Sequence, residues 1–143
     1  MEIRAAQHQD KEVIAAIWLT SSVDAHKQAD EAFWVKRYKQ VYHEILPAAR
    51  LYLAWQDDGV ESFLGLSEAD ELLFLNTACC FRKKGHASAL LEQAKSLCKT
   101  GLTATVYEEN AHGIAFLEKR GFVRSAPAKD EQGRSMICMK WDK

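Results

Sequence analysis

The spacing of apolar residues along the chain changes near residue 50. Before that point, apolar side chains recur at every third or fourth position, a period that predicts helices. Asp10 suits the N-cap of a first helix, and a second helix begins near Asp30 and is stopped by Pro47. A short strand over residues 2–6 precedes both. The first part of the chain is therefore predicted to form one strand and two helices.

Beyond residue 50, short apolar runs separated by turn signals predict strands over residues 51–55, 60–66 and 72–77. The elements predicted after them are a helix over 87–98 with Gly101 just past its end, a strand over 102–107, a helix over 111–120 stopped by Gly121, and closing strands over 122–126 and 135–141. The first three of these strands form an antiparallel meander, whereas strands joined through helices pair in parallel. This order predicts a mixed α/β (α+β) fold.

The composition narrows the class of protein. The chain has 143 residues, 48% of them hydrophobic and 27% charged, with a net charge of −1. These values are typical of one globular domain over residues 1–143, and they exclude disorder, collagen and coiled-coil arrays. The chain has no apolar run long enough for a membrane span and no visible signal peptide. The four cysteines form no CxxC pair and no zinc-ligand spacing, so we expect reduced thiols, no metal and a cytoplasmic location.

A strand, a short loop and a helix start lie between residues 72 and 95, and this segment carries the candidate chemistry. The first turn of a helix has free backbone N–H groups and a partial positive charge. Gly85 and Ala87 are small, so they let an anion approach the backbone closely. Arg82, Lys83 and Lys84 add positive charge beside them. This segment is therefore predicted to bind a pyrophosphate, although it is neither a P-loop nor a GxGxxG motif.

The R-x-x-G-x-A pattern at residues 82–87 resembles the (Gln/Arg)-x-x-Gly-x-(Gly/Ala) motif of the GNAT (GCN5-related) N-acetyltransferases. A second segment, residues 110–122, resembles the family motif Asn-x-x-Ala-x-x-Phe-Tyr-x-x-x-Gly-Phe. In this chain Gly113 replaces the usual alanine and Leu117 replaces the usual tyrosine. The predicted element order also matches, so the resemblance covers nearly the whole chain. The chain most resembles the small bacterial single-domain members of the family.

The resemblance implies a mixed, mostly antiparallel sheet of six to seven strands flanked by helices, with a splay between the two central parallel strands. It also implies acetyl-CoA as co-substrate, with its pantetheine arm in the splay and its pyrophosphate at the helix start. The residues that match the cofactor-binding positions of the family are Leu75, Asn76, Thr77, Arg82, Lys83, Lys84, Gly85, His86, Ala87, Ser88, Asn110 and Phe116.

Acetyl transfer to an amine requires a base, because a protonated amine has no lone pair. Glu71 lies eleven residues before Arg82, the place of the base glutamate in the histone-acetyltransferase branch, although a plain exposed carboxylate would also fit there. Tyr107 is a candidate for the acid that protonates the leaving thiolate, since Leu117 cannot donate a proton. His26 lies where family members bind the acceptor, and its alternative is an ordinary surface histidine.

The leading hypothesis is an acetyl-CoA-dependent N-acetyltransferase that acts on a primary amine of a protein, a peptide or a small molecule. A non-catalytic acyl-CoA-binding protein on the same fold is one alternative, which the loss of the motif tyrosine keeps open. An RNA-associated module that uses residues 82–84 is another, although the chain is not basic overall. We expect no nucleic-acid or membrane partner, and either a monomer or a homodimer.

Overall fold

The structure of the protein is a computed structural model that describes residues 2–25, 30–56, 59–77 and 85–143. Its elements in chain order are β1 (Glu2–Ala5), a 3-10 turn (His8–Asp10), α1 (Lys11–Ala25), α2 (Glu31–Gln40), a π-helical turn (Val41–Ile45), α3 (Leu46–Ala48), β2 (Arg50–Gln56), β3 (Gly59–Leu66), β4 (Glu71–Thr77), α4 (His86–Leu97), β5 (Gly101–Tyr107), α5 (Ala111–Lys119), β6 (Val123–Lys129) and β7 (Ser135–Asp142). None of the helices within these ranges is long and apolar enough to cross a membrane.

Seven strands form one sheet in the order β1-β2-β3-β4-β5-β7-β6. Strands β4 and β5 are parallel, and every other neighbouring pair is antiparallel. The parallel pair follows from α4, because a helical crossover returns the next strand in the same direction. Helix α5 also joins two strands, but β7 lies between β5 and β6 and prevents a second parallel pair. The predicted mixed, mostly antiparallel sheet is confirmed.

Helices cover both faces of the sheet, and each face has its own hydrophobic core. Helices α4 and α5 pack on one face, where their buried residues include Leu90, Leu91, Ile114 and Leu117. Helices α1 and α2 pack on the other, with a buried set that includes Ile14, Trp18, Trp34, Phe63 and Phe74. Strands β4 and β5 lie between these two cores, so the position of the gap between them is set by packing from both sides.

Three residues have local roles that differ from the predictions. Asp10 does not cap α1 from outside but ends the 3-10 turn before it, where its carboxylate accepts the N–H of Gln7 at 2.8 Å. Pro47 lies inside α3, because the π-helical turn widens the backbone ahead of its ring. Gly101 begins β5, where a side chain would collide with the backbone of Trp141. Close packing between strands explains this glycine, and helix termination does not.

The turn between β3 and β4 is held by the carboxylate of Asp70. It accepts the backbone N–H of Lys99 at 3.0 Å and pairs with the Arg50 guanidinium at 2.7 Å. These two contacts hold the pKa of Asp70 below its usual value of 3.8. Because the folded pKa is lower than the unfolded one, the stabilisation is present above pH 4 or so and is lost as the pH falls through the folded value.

We expect Asp70→Asn to lower the free energy of unfolding at pH 7 by about 1 to 2 kcal/mol. Asparagine tolerates the left-handed backbone of this position, whose φ is 58°, so the substitution removes the charge and spares the turn. Urea unfolding at pH 7 and below pH 4 measures the effect, and the difference from the wild type should shrink in acid. Glu68→Gln in the same turn, at an exposed position, is the control. An equal loss at both pH values would contradict the role of the charge.

Candidate active site

Strands β4 and β5 separate after a short paired stretch. Their register contains two pairs, Glu71 with Thr103 and Leu72 with Ala104, although β4 continues to Thr77 and β5 to Tyr107. An extra residue in β4, between the partners of Gly65 and Leu66 on β3, forms a bulge where the separation begins. From there on, the edge of β4 that faces β5 pairs with no strand among the described residues. The predicted splay is confirmed, and its open edge is suited to pairing with an extended ligand.

The last three residues of β4 face alternate sides of the sheet. Leu75 packs toward the core under α4 and α5. Asn76 points the other way, where its amide donates to the Ser21 hydroxyl of α1 at 2.7 Å. Thr77 shares a hydrogen bond of 2.8 Å with Ser62 on β3. These side chains are tied to the protein on either face, which leaves the backbone edge between them for a ligand.

The N-terminus of α4 follows the end of β4. Gly85 is its N-cap and has φ 84°, a conformation that L side chains rarely adopt, and a Cβ built there meets no described residue within 4 Å. The residue is exposed, and the first N–H groups of the helix that follows it lack acceptors within the helix. Arg82, Lys83 and Lys84, predicted to lie beside it, fall outside the described residues, as does His26.

The side chain of His86 points inward. It is 3% exposed, and its Nε2 lies 3.0 Å from a carboxylate oxygen of Glu61. Glu61 is the extra residue of a bulge in β3, and it is itself 4% exposed. The pair therefore anchors the first turn of α4 to the sheet. Because its side chain is turned away, His86 could bind a phosphate only through its backbone N–H. Ala87 and Ser88 follow on the same turn.

Ser88 contacts a residue that the motifs did not indicate. Its hydroxyl accepts hydrogen bonds from Nε and Nη2 of Arg120, the C-cap residue of α5. The Arg120 guanidinium also lies over the Phe116 ring, 3.8 Å from its centroid. The two predicted residues Ser88 and Phe116 are thus joined by one cationic side chain.

Asn110 is the N-cap of α5. Its side-chain oxygen accepts the N–H of Gly113 at 3.0 Å. A Cβ at position 113 would lie 2.6 Å from the amide nitrogen of Asn110. With the Asn110 side chain in this position, an alanine at position 113 would require the amide to shift.

The comparisons with known proteins agree with this geometry. The family model of the acetyltransferase (GNAT) domain matches residues 6–143. The chain belongs to the GNAT acetyltransferase family. It is 31% identical over 124 residues to peptidyl-lysine N-acetyltransferase YjaB of Salmonella typhimurium, a match that covers 85% of this chain and 83% of that protein. The protein is accordingly an N-acetyltransferase.

Solved structures of this family share the fold. The solution structure of apo-form YjaB from Escherichia coli superimposes with a TM-score of 0.86 at 25% identity, over 98% of this chain and 96% of that chain. The crystal structure of PaiA N-acetyltransferase from Thermoplasma acidophilum in complex with coenzyme A gives a TM-score of 0.85 at 19% identity, over 99% and 98% of the two chains. The second likeness concerns the fold alone.

In this GNAT acetyltransferase, Glu71 lies at the closed end of the splay. Its strand neighbour Leu72 is buried under α4 and α5, so alternation directs Glu71 and its partner Thr103 to the face of α1 and α2. Glu71 is half-buried, and none of the described residues engages its carboxylate in a hydrogen bond or an ion pair. A carboxylate in this position is available to a substrate. Its catalytic role remains a prediction.

The surroundings of Tyr107 do not favour it as an acid. The ring is 8% exposed and packs edge-on against Trp34, with centroids 5.7 Å apart. The phenol donates to Asp130 at 2.7 Å, and burial, together with this bond, raises its pKa to about 12. Tyr107 lies four residue steps, about 13 Å, along β5 from Thr103, the partner of Glu71. Tyr107 therefore connects β5 to the β6–β7 turn.

We expect Tyr107→Phe to leave kcat within about twofold of the wild type, since loss of general-acid catalysis would cost about 10²-fold or more. The free energy of unfolding should fall by about 1 kcal/mol, because Asp130 loses a buried donor. Steady-state kinetics and urea unfolding measure the two effects, with Tyr52→Phe on β2 as the control. A large drop in kcat without loss of stability would restore Tyr107 as the acid.

Two charged residues near this site were not predicted from the sequence. Glu61 could have been noticed as a carboxylate within an otherwise apolar strand, whereas nothing in the sequence distinguishes Arg120 from the other basic residues near the end of α5. Leu117, at the position of the motif tyrosine, is 4% exposed and belongs to the core under α5. Within the described ranges, no group of three or more His, Cys, Asp or Glu side chains could hold a metal ion.

Proposed function

We propose that this GNAT enzyme transfers the acetyl group of acetyl-CoA to the ε-amine of a lysine in a protein or peptide. The observation that carries the proposal is the open edge of β4 beyond Leu72, which begins at the free carboxylate of Glu71. The choice of lysine follows the name of the YjaB relatives, which are 31% identical to this chain. The match covers 83% and 82% of these two relatives, so the likeness extends over most of their length.

In this proposal the open edge of β4 and the start of α4 each bind a different part of acetyl-CoA. The pantetheine amides pair with the backbone of Leu75, Asn76 and Thr77 like an added strand. The pyrophosphate lies on the N–H groups of residues 85–88, where the helix dipole favours negative charge. Gly85 keeps that approach open, because no described residue lies within 4 Å of a Cβ built at this position. The acetyl group then lies near the closed end of the splay, beside Glu71.

The reaction follows from these positions. Glu71 takes a proton from the lysine ammonium through a water molecule, and the amine nitrogen then attacks the thioester carbonyl. A free N–H on the open edge of β4 stabilises the negative charge on the carbonyl oxygen. The attacking nitrogen gives its second proton to water, the carbon–sulfur bond breaks, an amide forms, and the thiolate of CoA leaves. Solvent supplies the proton of the thiol, because position 117 is leucine and Tyr107 is bonded to Asp130.

A non-catalytic acyl-CoA-binding protein is not favoured. The family match spans residues 6–143, and the relatives are named as enzymes. The loss of the motif tyrosine removes one proton donor, but a thiolate is a stable anion in water and can leave before it is protonated. The free carboxylate of Glu71 has no evident role in a protein that only binds CoA.

The test is turnover of acetyl-CoA with matched acceptors, measured as released thiol. One peptide has a blocked N-terminus and a single lysine, a second replaces that lysine by norleucine, and a third has a free N-terminus and no lysine. Thiol release with the first peptide alone would support the proposal. Release with the third alone would redirect it to an N-terminal amine, and a small amine as the only acceptor would overturn it.

A further inference from the structure

The guanidinium of Arg120 lies beside the first turn of α4 without an acidic partner. It bonds the Ser88 hydroxyl and donates to the Phe116 carbonyl at 3.2 Å, and it covers the Phe116 ring. All of these acceptors are neutral, and no carboxylate in the described part of the chain forms an ion pair with it. Arg120 is half-buried, so its charge is partly desolvated and incompletely balanced.

Other basic residues at this end of α5 are already engaged or exposed. Lys95 donates to the Arg120 carbonyl at 2.6 Å, lies over the Trp141 ring and pairs with Glu92. Lys119 is exposed on the last turn of α5. Arg120 differs from them because its side chain extends from the end of α5 to the first turn of α4, where the phosphates would bind.

We propose that Arg120 binds a phosphate group of coenzyme A, either in the diphosphate or at the 3′ position of the ribose. This inference rests on the proposed function, because it assumes that the diphosphate lies at the N-terminus of α4. Ser88 is the third residue of that helix, so a cation on its hydroxyl lies within one turn of the N–H groups that face an anion.

The side chain is prepared for this role. A planar guanidinium presents a rigid fork of donors that suits phosphate oxygens, and three neutral contacts orient it before a ligand arrives. The contacts of the guanidinium with the Phe116 ring and the Ser88 hydroxyl are weaker than charge-assisted bonds to a phosphate. A phosphate can therefore replace them. Ser88 therefore positions Arg120, and Arg120 supplies the positive charge.

The experiment compares wild type, Arg120→Gln and Lys119→Gln by calorimetry with two ligands, CoA and 3′-dephospho-CoA. Glutamine keeps a donor for Ser88 but removes the charge, whereas Lys119→Gln removes the same charge one residue away. We expect Arg120→Gln to weaken CoA binding about fivefold, and Lys119→Gln to change it by less than about twofold. Loss with CoA alone would assign the contact to the 3′-phosphate, and equal loss with both ligands would assign it to the diphosphate.

Equal affinities of wild type and Arg120→Gln for both ligands would overturn the inference and leave the proposed function intact. A wild type that fails to bind CoA would instead overturn the proposed function, and the inference with it. Circular dichroism checks the fold of each variant. If Arg120→Gln does not fold, Arg120→Lys replaces it, with an expected loss of about twofold to threefold because the charge stays and the fork is lost.

Discussion

Replacing Glu71 by glutamine is expected to lower kcat by about 10²-fold or more while the affinity for acetyl-CoA stays unchanged. The amide keeps the size of the side chain but cannot accept the proton of the lysine ammonium. Glu71 begins β4 at the last paired stretch before the splay, and its carboxylate is free of the described residues. Because Glu71 is proposed to act on the acceptor amine and not on the cofactor, removal of its charge should affect the chemical step and leave the affinity for CoA unchanged.

The pH dependence separates a base from a structural carboxylate. A lysine amine has a pKa near 10.4, so more of the acceptor is already deprotonated as the pH rises. The rate of Glu71→Gln should therefore rise toward the wild-type rate between pH 7 and pH 10 or so. Glu68→Gln, in the exposed turn before β4, removes a carboxylate three residues away and should change neither kcat nor the profile.

Two results would contradict this role. Wild-type turnover by Glu71→Gln across the pH range would place the base elsewhere, such as a water chain held by strand carbonyls. A parallel loss of turnover and of CoA affinity would indicate that Glu71 supports the splay itself. Initial rates at saturating acetyl-CoA, together with calorimetry of CoA binding, distinguish these outcomes.

Gly85→Asp is expected to weaken CoA binding about tenfold or more, which corresponds to about 1.4 kcal/mol. The new carboxylate would lie at the start of α4, where it repels the diphosphate and competes for the same N–H groups. The backbone adds a second cost, because a non-glycine residue at φ 84° is strained by roughly 1 to 2 kcal/mol. Calorimetry with CoA measures the affinity, and thermal unfolding measures the strain.

The chain contains a matched control for this substitution. Gly133, in the turn between β6 and β7, has φ 80°, is exposed and has nothing within 4 Å of a built Cβ. Gly133→Asp therefore introduces the same charge with the same strain at a distance from α4. Gly85→Asn adds a side chain of the same size without the charge, so the difference between Gly85→Asp and Gly85→Asn isolates the effect of the charge. Equal CoA affinities for Gly85→Asp and Gly133→Asp would refute the placement of the diphosphate.

Much of the fold could be predicted because its signals are local. The period of apolar residues changes where the helices give way to the meander, and Gly121, with φ 94°, ends α5 as predicted. The predicted splay is also confirmed, although it came from the resemblance of two motifs and not from any pattern in residues 72–77. Boundaries differ by one to three residues, as at β6, which extends to Lys129.

Some features depend on contacts between distant segments, and the sequence does not reveal them. Gly101 follows a helix in the sequence, but the backbone of Trp141 on β7 decides why no side chain fits there. The role of Tyr107 as the acid stays a prediction, but its surroundings could not be foreseen, because nothing near it in the sequence indicates that Asp130 would accept its phenol. The bonding of a side chain depends on which strands become neighbours, and β7 pairs with β5 from 30 or so residues away.

The sequence by itself determined the element order, the glycine at the start of α4 and the residue types of both motifs, since propensity, periodicity and spacing act over a few residues. Only the tertiary structure decided which groups are free. In the folded protein His86 contacts Glu61 in the interior, Tyr107 donates to Asp130, and the carboxylate of Glu71 contacts no described polar group. The fold also brings Arg120 to Ser88, 32 residues away in the chain. Burial and pairing arise when the sheet and both helical layers pack together, and no local pattern records them.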